Sequence, residues 1–370
     1  MILLTVNSGS TSTKLAAFAF AGDVLSPIAR ESHPGGAGRP GDTLADFARR
    51  VDSLDVAAVA HRVVHGGTRF TQPTLVDAEV ESALAAISAL APLHNPPALE
   101  WIAAARQRFA PAVAQIAAFD TAFFARLPRV ASEYALPASF GTSQGVRRYG
   151  FHGLAHEAMW QRWCELRPDL DAGGRIVTLQ LGGGCSMAAI DRGRPVDTSM
   201  GFSPLEGLVM ATRAGDVDPA VVPYLSQRLG WPADAVVQRL NRESGLLGVS
   251  GRTSDLSALV IDPSAQAQFA VELYCYRARK YLGAYLAVLG GCDGIVFGGG
   301  AGEHVPEVRE RILHGMQWAG IALDSRANGA ARDGEARISA ADSRVIVQVA
   351  PGDEERSLAR AALSCLRAAR

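Results

Sequence analysis

The feature that most constrains this chain is a device it uses twice: an apolar strand, a turn of small residues, then a second apolar strand. It reads ILLTV-NSGSTSTK-LAAFAF near the start and RIVTLQL-GGGCS-MAAI from Arg175 onward. Short apolar runs bounded by Gly and Ser predict strands, and the same unit in each half predicts an internal duplication. Two such turns can present backbone N–H groups to phosphates from opposite sides of a cleft. A third small-residue turn, FGGGAGEH (Phe297 to His304), follows another strand and is expected to precede a helix beginning near Val305; helix amino termini favour anions. Taken singly, each turn is also what any tight reversal between strands needs, because glycine relaxes the backbone. No GxxxxGK[ST] occurs, so a phosphate cradle here is not a Walker A loop.

The rest of the chain alternates strand and helix, an α/β pattern. Strands are expected over Ile2 to Val6, Lys14 to Phe20, Val56 to Val64 and Ala114 to Phe119, with helices over Asp77 to Leu90 and Pro97 to Phe109. After Gly150 a second set follows: strands at Arg175 to Leu181, Met187 to Ile190, Gly294 to Phe297 and Arg344 to Val349. A long helix covers Ala265 to Leu289 and a last one Glu354 to Ala368. With 370 residues the chain fits two domains, expected as 1–150 plus the terminal helix 354–370, and 151–353.

A formal net charge of -1 gives no long-range bias toward nucleic acid or an anionic membrane. The five cysteines are scattered without CxxC spacing, which suggests neither a disulfide framework nor a zinc site and points to a reducing cytoplasm. No apolar run approaches the roughly 20 residues that span a bilayer, and MILLTVNSGS reads as a buried strand rather than a signal peptide.

Several residues carry candidate chemistry. HRVVHGG (His61 to Gly67) sets Arg62 inside an apolar strand, costly for a permanent cation unless something anionic meets it. It is either an anion clamp or an edge-strand arginine paired with a carboxylate. Asp120 closes the strand IAAFD, where a sheet's carboxyl edge carries ligand sites in open α/β folds; it also suits the cap of a following helix. His152 in YGFHG, His94 in APLHNPP and Arg213 in a loop dense with Gly, Asp and Thr are each open to a structural or a catalytic role. Lys14 stands out, since only Lys14 and Lys280 among 36 basic residues are lysines, and a compact ammonium suits a point contact with phosphate.

In order along the chain, NSGSTSTK, HRVVHGG, APLHNPP, FDTAF, YGFHG, SPLEGLVMATRAGDVDP, GVSGRTSD and a terminal DEE resemble the motifs of the acetate kinase family, from Asn7 to Glu354. The resemblance implies two duplicated ribonuclease-H-like, actin-like ATPase domains with a central cleft. It implies transfer of a phosphoryl group between ATP/ADP and acetate, with propionate or another short carboxylate as the alternative acceptor, in a homodimer. Asn7 and Glu354 would organise Mg2+, with Mn2+ as the alternative ion, and Lys14 would approach the nucleotide phosphates. Arg62 and Arg213 would bind the carboxylate and the transferring group, His152 would stabilise the same transition state, and Asp120 would orient an arginine and the acceptor. Val64, Leu93, Phe151 and Pro204 match the apolar pocket around the acceptor's methyl group.

On the nucleotide side the resemblance assigns Gln180, Leu181, Gly182, Gly183 and Gly184, then Asp255, Leu256 and Ser257, then Gly300, Ala301, Gly302, Glu303 and His304. Here the chain departs from the family: QLGGGCS replaces HLGNGSS, Asp255-Leu256-Ser257 lacks the arginine of DxR, and GAGEH replaces GIGEN. The acceptor-side motifs stay intact, so an altered or relaxed phosphoryl donor is the expectation to test against neutral drift. A hinge near Gly150 and Gly352 is expected for domain closure.

Overall fold

A computed structural model describes residues 1–9, 12–22, 24–34, 39–51, 55–92 and 94–368. The Cα packing divides the chain into two compact units, 1–125 with 151–158 and 353–370, and 126–150 with 159–352. The first unit holds β1 (Ile2–Ser8), β2 (Ser12–Ala21), β3 (Val24–Pro34), α1 (Pro40–Arg50), β4 (Val56–Val63), β5 (Thr74–Leu75), α2 (Ala78–Ala86), α3 (Asn95–Arg108) and β6 (Ala114–Phe119). Next come α4 (Arg129–Ser132) and α5 (Gly153–Leu166), whose first turns lie in the first unit. The second unit continues with β7 (Arg175–Leu181), β8 (Cys185–Asp191), β9 (Arg194–Thr198), α6 (Val221–Leu229), α7 (Ala233–Arg242), α8 (Gly245–Ser250), α9 (Leu256–Ile261) and α10 (Ala265–Leu289). It closes with β10 (Gly294–Gly298), α11 (Gly299–His304), α12 (Pro306–Leu313), α13 (Ser325–Ala330), β11 (Ala336–Arg337) and β12 (Ile346–Val349), before α14 (Glu354–Ala368) returns to the first unit.

The two sheets repeat one topology. One runs β3-β2-β1-β4-β6-β5 and the other β9-β8-β7-β10-β12-β11. In each, an antiparallel three-strand ribbon leads into three parallel strands and a short antiparallel edge. The repeated strand-turn-strand motif is thus the opening hairpin of two α/β domains, as the duplicated sequence predicts.

Parallel strands covered on both faces must be apolar on both, which is why ILLTV does not alternate. Leu3, Ala58, Ala60, Ile116 and Ala118 pack under Leu358, Ala359, Ala362 and Leu363 of α14. On the other face Leu4, Val6 and Val59 meet Leu44 and Phe47 of α1 and Trp101 and Ala105 of α3. The apolar stripe of α14 explains why the last helix belongs to the first unit. Its amino terminus thereby arrives where β1, β4 and β6 end.

One expectation shifts. The helix expected near Val305 does begin at Pro306 as α12, but GGAGEH before it is not a turn; it is itself helical as α11. The Gly299 N–H donates to Glu303 Oε1 at 2.8 Å, and the Gly302 and Glu303 carbonyls accept from the buried Arg309 guanidinium at 2.8 and 2.9 Å. Those bonds satisfy helix-end groups that a glycine-rich hexamer would otherwise leave to water.

Candidate active site

In the first unit β1, β4 and β6 run parallel, so their carboxyl ends open on one edge, and Asn7, Arg62 and Asp120 stand there. Arg62 lies on a central strand, not at an edge, and its side chain is only 11% exposed. Its Nε donates to both Asp120 oxygens at 3.1 Å and its Nη2 to Asp120 Oδ2 at 2.6 Å. Nη1 donates to Asn7 Oδ1 at 3.1 Å and sits 3.6 Å from Glu354 Oε2. The strand arginine therefore does meet a carboxylate, and these bonds still leave one N–H on each terminal nitrogen.

Burial raises the Asp120 carboxyl above its ordinary range; the Arg62 charge and a bond from the His152 backbone N–H oppose that rise. Burial also weighs against the Arg62 cation, but Asp120 and Glu354 outweigh it and hold the guanidinium firmly protonated. His152 takes a left-handed backbone (φ 57°), unusual for a residue with a side chain. Beside it Gly153 is required by close approach: its N–H donates to the Asp120 carbonyl at 3.1 Å, and a Cβ there would lie 2.0 Å from that oxygen.

The amino terminus of α14 adds two carboxylates. Asn7 Nδ2 donates to Glu354 Oε2 at 2.7 Å and to Glu355 Oε1 at 2.9 Å. Lys14, cross-strand from Asn7, is about half exposed and reaches to 4.0 Å from Glu355 Oε1. Glu355 is a site residue that the DEE motif contained and sequence reasoning left without a role. Three carboxylates facing one buried guanidinium leave room for a further cation. Among the described residues, no group of three or more His, Cys, Asp or Glu side chains is arranged as a metal cage. Of the two expected metal residues, Glu354 offers a carboxylate, one oxygen of which already accepts from Asn7 Nδ2, while the Asn7 carbonyl oxygen is shared with Arg62.

Val64 and Phe151 are buried in the first unit. Leu93 lies outside the described residues, as do Ser10 and Thr11 of the first glycine-serine turn. Pro204 and Arg213 belong to the second unit, where Arg213 Nη1 donates to the Pro204 carbonyl at 3.2 Å.

Apart from Lys14, which lies in the first unit, the nucleotide-side candidates are in the second. Gly182, Gly183 and Gly184 link β7 to β8, and the Gly183 carbonyl accepts from Ala211 N–H at 3.1 Å, tying this turn to the Arg213 loop. A side chain on Gly183 would meet open space. Cys185 turns inward, its Sγ bonding the Gly182 carbonyl at 3.3 Å and lying 3.2 Å from Tyr274 Oη; burial pushes its thiol up to about 11. The Leu181 side chain is fully buried and only its backbone approaches Gly299, where a Cβ would lie 2.8 Å away. Gln180, half-buried, keeps its Oε1 buried without a partner. Glu303 caps its own helix, as above. Asp255 caps α9 by accepting from Ser257 and Ala258 N–H, while Leu256 is buried. His304 Nδ1 lies 2.5 Å from the Arg332 carbonyl, and Gly300 and Ala301 form the first turn of α11. Several assigned side chains thus have structural work, and the edge offers mostly backbone.

The Acetokinase family model matches residues 23–360. The chain belongs to that family. Among curated relatives, the acetate kinase of Solibacter usitatus is 44% identical over 316 residues, spanning 84% of this chain and 76% of that protein. Among solved structures, the acetate kinase of Porphyromonas gingivalis superposes with a TM-score of 0.87 at 35% identity, covering 99% of each chain. A propionate kinase from Francisella tularensis gives 0.86 at 31% identity, covering 97% of this chain and 98% of the other. This acetokinase fold carries no helix, among the described residues, long and apolar enough to cross a membrane.

Proposed function

We propose that this chain is an acetate kinase, moving the γ-phosphoryl group of ATP reversibly to acetate to give acetyl phosphate and ADP. The observation that carries the reading is the Arg62 guanidinium, held by Asp120 and Asn7 at the carboxyl edge of the parallel strands with Glu354 beside Nη1. A guanidinium fixed in this way suits a planar carboxylate or a phosphoryl group, which it can meet in bidentate fashion.

Acetate is ionised near neutral pH, so the acceptor needs no general base. The protein's task is in-line positioning and neutralising charge on the equatorial oxygens. Arg62 holds the acceptor, Asp120 orients Arg62, and His152 and Arg213 supply donors to the transferring group. Val64 and Phe151, both buried, would line the methyl side of the acceptor, and Lys14 would contact phosphate from the rim. Glu354, with Asn7, would hold Mg2+, whose charge would offset that of the phosphates. A homodimer is proposed from the family alone.

The test is hydroxylamine trapping of acyl phosphate with acetate, ATP and Mg2+. Arg62→Ala and Arg213→Ala should each lower kcat by at least about 100-fold, the scale on which lost transition-state charge stabilisation is felt; near-normal turnover in either removes that residue from the mechanism. A second reading, the same acceptor with a relaxed phosphoryl donor, is favoured by the open space at Gly183 and by the committed side chains of Glu303, Asp255 and Cys185. Selective use of ATP over GTP and pyrophosphate would exclude it.

A further inference from the structure

The parallel pairing of β4 with β6 ends at Val63, opposite Phe119, and the Asp120 N–H makes the last ladder bond to the Val63 carbonyl at 3.2 Å. Beyond that point the chain enters the acceptor side and, among the described residues, no strand pairs with it. Asn95, the first residue of α3, takes the strand's place. Its Oδ1 accepts from His65 N–H at 3.1 Å and its Nδ2 donates to the His65 carbonyl at 3.0 Å. Thr121 Oγ1 accepts the next free donor, Gly66 N–H, at 3.1 Å. Asn95 and His65 are fully buried, where an unmade backbone bond costs about 1–3 kcal/mol. Pro96 and Pro97, in the first turn of α3, stiffen the point from which the amide reaches.

The His65 ring continues the arrangement. Its Nδ1 accepts from Gly67 N–H at 2.9 Å, which needs a neutral imidazole, and burial lowers its pKa to about 4. The ring stands edge-on to Phe151, with centroids 5.5 Å apart and planes at 66°. One couple therefore fixes the backbone next to Val64 and braces the ring of Phe151.

We propose that Asn95 and His65 are positioning residues that hold Val64 and Phe151 in place and so set the longest carboxylic acid the acceptor pocket admits. This rests on reading those two apolar residues as pocket walls. A pocket discriminates one methylene by about 10- to 200-fold at best, and that margin depends on walls that do not move.

The experiment compares kcat/KM for acetate, propionate and butyrate in the wild type, Asn95→Ala and Asn95→Asp, with the KM for ATP measured alongside. In Asn95→Ala the ratio between the preferred acid and the next longer one should fall about fivefold or more, while the KM for ATP stays within about twofold. Asn95→Asp keeps the acceptor for His65 N–H and should fall between; it carries the test if the alanine variant does not fold. An unchanged ratio in a folded variant, even one with a lowered Tm, overturns the proposal, since a merely structural amide would move stability alone. A wild type inactive on every acid overturns the acceptor reading beneath it.

Discussion

Replacing Arg62 with methionine keeps most of the side chain's length and removes its charge, leaving Asp120, 1% exposed, without its guanidinium partner. Breaking a buried pair from one side costs about 3–5 kcal/mol. The cost should depend on pH in a defined direction. Burial already raises the Asp120 pKa with Arg62 present, and losing Arg62 raises it further above the unfolded value of about 3.9. A group whose native pKa exceeds its unfolded one binds more protons when folded. Its penalty is therefore full at high pH and relieved as pH falls, by about 1.4 kcal/mol per pH unit while it titrates. Urea titrations of wild type and Arg62→Met at about pH 8 and about pH 5.5 measure this, and contributions from the histidines cancel in the difference. Trp101, the one tryptophan of the first unit, reports its unfolding. A penalty of about 3–5 kcal/mol at the higher pH should shrink at the lower one, and adding Asp120→Asn should abolish the dependence. A penalty below about 1 kcal/mol, or one equal at both pH values, would refute the buried-pair account.

The wild type should lose stability in acid for a separate reason. Burial lowers His61 and His65 to about 4 and His156 to about 3, all below the unfolded value of about 6.5. The unfolded chain then binds the extra protons as pH drops below 6.5, and each histidine removes about 2 kcal/mol by pH 5; calorimetry showing a flat Tm from pH 7 to 5 would contradict this. Gly153→Ala places a Cβ 2.0 Å from the Asp120 carbonyl oxygen and should cost about 100-fold or more in kcat, and steady-state kinetics near wild type would remove the close approach from the account.

Much of the fold is legible in the sequence because its strongest signals are local. The long helix Ala265–Leu289 stands where the sequence predicts it, since a sustained apolar stripe between a Ser cap and a Gly stop needs no distant partner. The exposed strand β3 escaped notice because VLSPIARESHP buries only Leu25 and owes its form to pairing with β2. Arg62 was legible as an expensive cation, but whether a ligand or a carboxylate met it depended on Asp120, far along the chain. The helix at GGAGEH depends likewise on the reach of Arg309. Asn95 and Glu355 both sit inside motifs that the sequence singles out, yet their roles lie in bonds to His65 and Asn7 that no spacing rule reveals.

The central claim, phosphoryl transfer to a small carboxylate, is tested most directly by phosphorus NMR of the purified protein with Mg2+, acetate and, in separate tubes, ATP, GTP and pyrophosphate. An acyl phosphate resonance growing with ATP, with matching loss of the γ-phosphate signal, is the predicted result. Its absence from every tube, with the protein shown to be folded, would contradict the account.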